Sequence, residues 1–216
     1  MPTTSYADQG EDLVLDRVLW HVAKHNRKAP GFYVDVGAHH PVKSSLTKRL
    51  YDRGWRGICV DIDKTSIDLF KAHRVEDIAV CAAVGSTDGE INAYFDTSGV
   101  SRFHTCDPQE ASRLAKRSEI RSESVPMLSV NTLMETYAAD RSIDFMNIDV
   151  QRFELEVLQG IDFSRYGPKV MALEIHTDSI DKMLQSELAG FMRFQGYRPV
   201  ASCVITTFWY RKVRTQ

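Results

Sequence analysis

The chain has 216 residues, 43% hydrophobic and 26% charged, with a formal net charge of −2. That length suits one domain, expected over residues 1–216, with a sizeable core and no room for two full ones. The near-neutral balance gives no field to draw in a nucleic-acid backbone, and no apolar run is long enough to span a bilayer, so neither partner is expected.

In chain order, "MPTTSYADQGEDLVL" is acidic and lacks the basic-then-apolar layout of a secretory signal, which points to the cytoplasm. Within an N-terminal helical segment (residues 1–30), Leu13, Leu15, Val18, Leu19 and Val22 recur at helical spacing and predict a helix from Tyr6 to Lys24. Pro30-Gly31 then introduces a strand, Phe32 to Val36. A helix is expected from Ser44 to Tyr51 with Gly54 as its cap, then a strand Gly57 to Ile62, a helix Lys64 to His73 and a buried strand Asp77 to Val84. A short strand around Ile91 to Phe95 follows. Residues 96–124 have no clear period and read as an irregular insertion, a lid over the acceptor side. Val125 to Val130 looks extended, and Asn131 is placed to cap a helix through Tyr137. Core strands are expected at 142–150 and 169–176, around a helix Glu154 to Gln159 closed by Gly160. A helix Ser179 to Phe194, ended by Gly196, leads to two final strands read as a hairpin. Apolar strands alternating with helices predict a doubly wound α/β fold, with a mostly parallel seven-stranded sheet and helices on both faces.

In an open parallel sheet, ligands bind outside the carboxyl ends of the strands, where the strand order reverses. Acids gather at those ends: Asp35, then Asp61 and Asp63, then Asp149 and Glu174. Carboxylates removed from water without partners are costly, so the set implies a polar cleft. Asp63 alone reads as a helix cap. "VDVGAHHP" supplies one glycine, Gly37, where a dinucleotide site has G-x-G-x-x-G, and Asp35 stands at its mouth. Such a loop repels a pyrophosphate. Asp61 lies 26 residues after Asp35, where an acid commonly holds ribose hydroxyls. A nucleoside bearing positive charge fits, and S-adenosylmethionine carries both an ammonium and a sulfonium.

The blocks "SYADQGEDLVL", "FYVDVGAHHP", "RGWRGICVDID", "VCAAVGSTDGE", "IDFMNIDVQRFELEVLQG" and "KVMALEIH" together resemble the FkbM-type methyltransferases. The resemblance implies a class I methyltransferase fold, S-adenosylmethionine as cofactor and S-adenosylhomocysteine as product. It also implies O-methylation of a small-molecule or glycan acceptor, such as a sugar or natural product. By the same match Asp35, Gly37 and Ala38 line the methionine side, Asp61 holds the ribose, and Ile62, Ala82 and Ala83 face the adenine. Asp149 falls where the fourth strand reaches the reactive methyl, and Gly10, Glu11 and Asp12 pack over the cofactor. The chain departs from the usual I-D-V-E-G form at Gln151 and Arg152.

A hydroxyl acceptor calls for a base. His176, after Glu174, is the first choice, His40 the second and His39 the third; His39, Arg152 and Glu174 are also candidates for holding the acceptor. Asp149, Glu174 and His176 are metal-ligand types, but no spacing is diagnostic and no metal is expected. Cys59, Cys81 and Cys203 lie among apolar residues and Cys106 among polar ones; all four read as structural thiols, with no CxxC pair. "RLAKRSEIR" reads as a solvated face, and Trp55 with "FWY" (208–210) as core. A homodimer is the default assembly. Two other classes stay open: a nicotinamide-dependent oxidoreductase, opposed by the absent glycine fingerprint, and a non-catalytic relative, favoured by Gln151 and Arg152.

Overall fold

A computed structural model describes residues 4–26, 29–97 and 104–212. The first helix is shorter than expected: α1 (Glu11–Arg17) passes into a π-helical turn, Val18–Val22. Asp12 sets its late start. Its buried carboxylate accepts from Ser5 Oγ (2.6 Å) and the Tyr6 N–H (3.0 Å), folding residues 5–10 back over the helix. After β1 (Phe32–Val36), the helix expected from Ser44 shrinks to one turn, α2 (Lys48–Tyr51). Ser44 sits at φ 53° and the Ser45 N–H donates to the Tyr6 carbonyl (3.1 Å). β2 (Arg56–Asp61) and α3 (Lys64–His73) match expectation, and Asp63 caps α3 by accepting from the Thr65 N–H (2.9 Å).

The strand expected from Asp77 to Val84 is two, β3 (Ile78–Cys81) and β4 (Ala83–Val84), which enter different sheets. β5 (Gly89–Asp96), β6 (His104–Thr105), α4 (Pro108–Leu114) and β7 (Ile120–Leu128) replace most of the expected irregular insertion; its residues 98–103 lie outside the described residues. β7 pairs antiparallel with β5 from Ile120↔Asp96 to Met127↔Gly89. Its run of exposed polar residues hides the strand from an apolar pattern. α5 (Val130–Tyr137) is capped by Ser129, which accepts from the Thr132 N–H (3.1 Å); Asn131 instead accepts from the Asp162 N–H (2.8 Å).

β8 (Phe145–Ile148), α6 (Glu154–Gln159) and β9 (Val170–Glu174) follow. The last expected helix breaks at Ser186 (φ −65°, ψ 155°) into α7 (Ile180–Gln185) and α8 (Glu187–Phe194). The Ser186 hydroxyl caps the second piece, accepting from the Ala189 N–H (3.2 Å). β10 (Arg198–Cys203) and β11 (Thr206–Tyr210) form the hairpin at one sheet edge. Trp55, Phe208, Trp209 and Tyr210 are core, and Arg113, Lys116 and Arg117 are solvated. Two thiols exchange their expected settings: Cys81 is exposed, whereas Cys106 is buried with Phe95 and Val125 against the second sheet.

The main sheet has seven strands in the order β10-β11-β9-β8-β1-β2-β3, parallel except for the hairpin. Strand order reverses between β1 and β8. Side chains alternate across it. Val34, Val36, Ile58, Val60, Met146, Ile148, Met171 and Leu173 pack into one core with α5, α6, α7 and α8. Tyr33, Cys59, Phe145, Val170 and Ala172 pack into the other with α1, α2 and α3. The two-residue period therefore puts Asp35, Asp61, Asn147 and Glu174 on this second face at the carboxyl ends. A four-stranded sheet, β4-β7-β5-β6, closes the end beyond β3.

Arg74, only 1% exposed, ties α3 to the loop after β1. It donates to the Pro41 carbonyl (2.7 Å), Ser45 Oγ (2.7 Å) and Thr47 Oγ1 (2.8 Å), and lies 3.8 Å from Asp77. Asp77 accepts in turn from the Tyr33 hydroxyl (2.5 Å) and the Gly57 N–H (2.9 Å). Removing one member of such a network leaves the other charge buried without its partner. Arg74→Ala is expected to cost about 3–5 kcal/mol in urea unfolding. Arg74→Lys should recover only part, because one ammonium does not reproduce the guanidinium fork. A loss below about 1 kcal/mol for the alanine variant would contradict the role given to this network.

Candidate active site

At the reversal between β1 and β8 the sheet opens into a cavity of about 580 Å³. Gly37 forms its floor. It sits at φ 75°, and a Cβ there would run into the Asp149 backbone carbonyl, so only glycine lets the two strand ends approach. The Gly37 and Ala38 N–H groups both donate to the Val60 carbonyl (2.9 and 3.1 Å), which fixes the loop across β2.

Asp35 is 2% exposed and fully engaged: Thr47 Oγ1 donates to one oxygen (2.5 Å) and Asn147 Nδ2 to the other (3.0 Å). Burial pushes its carboxyl up, and those two hydrogen bonds pull it back. Asp61 accepts from the His39 N–H and the Asp63 N–H, both at 2.8 Å. Burial likewise raises it against these donors. Beside it Ile62, Ala82, Ala83, Cys106 and Phe153 form an apolar wall. Burial pushes the Cys106 thiol up to about 11, so it packs as a hydrophobe. The N-terminal segment reaches the cavity through Asp8 and Glu11, with Ser44 Oγ donating to Asp8 (2.8 Å).

Across the cavity Asp149 and Glu174 meet. Gln151 Nε2 donates to Asp149 Oδ1 and Glu174 Oε2, both at 3.0 Å, and His176 Nε2 lies 3.1 Å from Glu174 Oε2. Burial first, then the neighbouring Glu174 charge, raises Asp149 well above its ordinary value. Burial also acts to raise Glu174, but the hydrogen bonds from His176 and Asp149 outweigh it and leave it lowered. The hydrogen bond to Glu174 raises His176. A glutamate at 151 would crowd a third carboxylate here; glutamine brings two N–H donors instead. Arg152 occupies the Gly position of the usual form and keeps a glycine-like backbone, φ 76°, after Gln151 at φ 53°.

The structure thus brings Asp35, Gly37, Ala38, His39, Asp61, Ile62, Ala82, Asp149 and Glu174 to one cavity. His40, Arg152 and His176 lie outside its lining. His40 Nδ1 accepts from the Val42 and Lys43 N–H groups (both 3.0 Å), and Arg152 pairs with Glu110 (2.9 Å). Sequence reading missed Thr47, Arg74, Asn147 and His104. Asn147 alone carried a signal, as a polar residue inside an apolar strand. His104 lines the cavity near Asp63 (3.9 Å), and its buried Nδ1 has no hydrogen-bond partner among the described residues.

Because Asp149 binds its proton more tightly when folded, the wild type loses stability as pH rises above the unfolded carboxylate pKa of about 3.9. Asp149→Asn removes that linkage and still offers an N–H to Glu174. The variant should melt a few degrees higher at pH 7, as about 1 kcal/mol gives in a chain of this size, with the gap closing toward pH 4. A gap that does not change with pH in thermal scans would contradict the raised Asp149 carboxyl.

The family model described as Methyltransferase FkbM domain matches residues 35–199. No curated protein sequence matches the chain at a significant level. Among solved structures, the chain is similar to precorrin-6y C5,15-methyltransferase from Geobacter metallireducens GS-15, at TM-score 0.45 and 9% identity, covering 98% of this chain and 94% of that one. It is also similar to the delta-N METTL16 MTase domain (TM-score 0.44, 12% identity, 92% and 79% covered). A third likeness is to the human methyltransferase 10 domain containing protein (TM-score 0.43, 12% identity, 98% and 84% covered). The family match runs from Asp35 at the end of β1 to Pro199 in β10 and so contains both the strand-end acids and the Asp149–Glu174 pair. With a doubly wound sheet and a cavity at its reversal point, the chain belongs to the FkbM methyltransferase family.

Proposed function

We propose that this chain transfers a methyl group from S-adenosylmethionine to a hydroxyl of a small-molecule or glycan acceptor, such as a sugar or natural product. The charge of the cavity carries the reading. Asp8, Glu11, Asp35, Asp61 and Glu174 line it, and no lysine or arginine does among the described residues. Such a surface favours a cationic nucleoside and disfavours the pyrophosphate of a nicotinamide cofactor. The volume is in the usual range of about 300–1,000 Å³ for small-molecule sites.

In this reading Asp61, oriented by two backbone N–H groups, keeps lone pairs for ribose hydroxyls, and Ile62, Ala82 and Ala83 face the adenine. Asp35 keeps the Gly37 loop in place through Thr47 and Asn147 and adds negative potential beside an ammonium. S-adenosylmethionine, when bound, supplies an electrophilic methyl on a cationic sulfur. Most of the residues' work is then alignment. The acceptor hydroxyl needs a proton acceptor, and Glu174 meets that need at the cavity wall: of the two carboxyls it is the one held low by its hydrogen bonds, whereas burial raises Asp149. His40 orders its own turn instead. The amide of Gln151 serves both carboxylates, so the departure at 151 keeps a polar partner on the pair.

Calorimetry with S-adenosylhomocysteine tests the reading. Asp61→Ala should weaken binding at least tenfold, about 1.4 kcal/mol, and NADH should not compete. Unchanged affinity in Asp61→Ala would count against the assigned pocket.

A further inference from the structure

We propose that His176 carries the acceptor's proton from Glu174 out to solvent, on the side of the sheet end away from the cofactor cavity. The proposal rests on the methyl-transfer reading above. Glu174 lines the 580 Å³ cavity. His176 lines a separate, open hollow of about 440 Å³ with Thr177, Asp178, Lys182 and Ile205. Ile205 belongs to both walls, so the partition between them is one residue thick there, and the 3.1 Å contact between Glu174 Oε2 and His176 Nε2 crosses it. Exposure rises along the same path, from 11% for the Glu174 side chain to 28% for His176. Asp178 and Lys182 pair with each other at 2.6 Å, which leaves His176 as the hollow's neutral-pH titrating group.

The step balances without a further reactant. The acceptor's O–C bond forms as the C–S bond breaks, and the hydroxyl proton passes to the Glu174 carboxylate. Glu174 hands it to Nε2 of a neutral His176 that carries its ring hydrogen on Nδ1. Nδ1 releases that hydrogen to water in the hollow, and proton exchange with the same water returns the ring to the Nδ1–H tautomer before the next turnover. His176 must therefore be neutral before each turnover. The groups facing it are Glu174, Arg152 and Glu154, with Asp178 and Lys182 across the hollow. The Glu174 hydrogen bond raises its pKa, against burial and Arg152, so turnover should climb with pH through a midpoint above the ordinary histidine value of about 6.5.

The test uses the whole chain with isotopically labelled S-adenosylmethionine and a panel of monosaccharides and simple phenols. His176→Ala and His176→Gln should each lower kcat tenfold or more and leave both KM values and S-adenosylhomocysteine affinity unchanged. Both should lose the rise with pH, and added imidazole should restore turnover in His176→Ala, because the hollow is open to it. Wild-type kcat and pH profile in both variants would overturn the relay. So would a raised acceptor KM with kcat unchanged, which would make His176 an acceptor contact. If the wild type methylates nothing in the panel while S-adenosylhomocysteine binds, the hydroxyl reading fails and the relay with it.

Discussion

The constraint that organises this molecule is the need to keep several carboxylates at one end of a parallel sheet with little water. Asp35, Asp61, Asp149 and Glu174 sit on neighbouring strand ends, and isolated buried charge of that kind is prohibitively costly. Each is resolved differently. Asp35 takes a hydroxyl and an amide, Asp61 takes two backbone N–H groups, and Asp149 and Glu174 are bridged by the amide of one glutamine. The buried Arg74 stands behind the first solution through Thr47. What remains is a cavity whose negative potential is set by geometry rather than by flexible surface charge.

The backbone bears part of the cost. His39, Ser44, Gln151 and Arg152 all have positive φ, and all four lie in the two loops that leave β1 and β8 at the reversal point. A non-glycine residue there gives up roughly 1–2 kcal/mol, and such strain persists where rigid surroundings over-determine it. Here the surroundings are the sheet itself, the Gly37–Asp149 approach and the Thr105 hydroxyl donating to the Gln151 carbonyl (2.9 Å). The last contact joins the small second sheet to the cavity end of the main sheet, so β6 and Cys106 border the cavity that Asp61 and Ile62 also line.

Much of this was legible in the sequence because it depends on short-range pattern. Buried parallel strands announce themselves as apolar runs, and an acid closing each run marks the cleft; Phe32–Val36 with Asp35 was readable for that reason, and the run read as Gly57 to Ile62 falls one residue from β2, Arg56–Asp61. β7 was not, since its run of residues 121–123 is polar and exposed and its partner β5 lies earlier in the chain, with β6 and α4 between them. The break at Ser186 was hidden because its flanks are good helix formers, and the serine's own preference for capping decided the matter. The site was half legible. Residue types at strand ends pointed to the cavity, but whether a side chain faces it depends on tertiary hydrogen bonds that no spacing encodes. His40 is turned back to its own loop, and His176 faces the far side of Glu174. Arg74 follows α3 with no motif to mark it, yet it anchors the loop that the motif identified.

The central claim is that this acidic cavity is an S-adenosylmethionine site arranged around Asp61 and the Gly37 loop, with the acceptor side at Glu174. A crystal structure of the chain with S-adenosylhomocysteine measures it most directly. The account predicts ribose hydroxyls on the Asp61 carboxylate, adenine against Ile62 and Ala82, and the sulfur turned toward Glu174. A ligand seated elsewhere, or one whose ribose leaves Asp61 untouched, would contradict it.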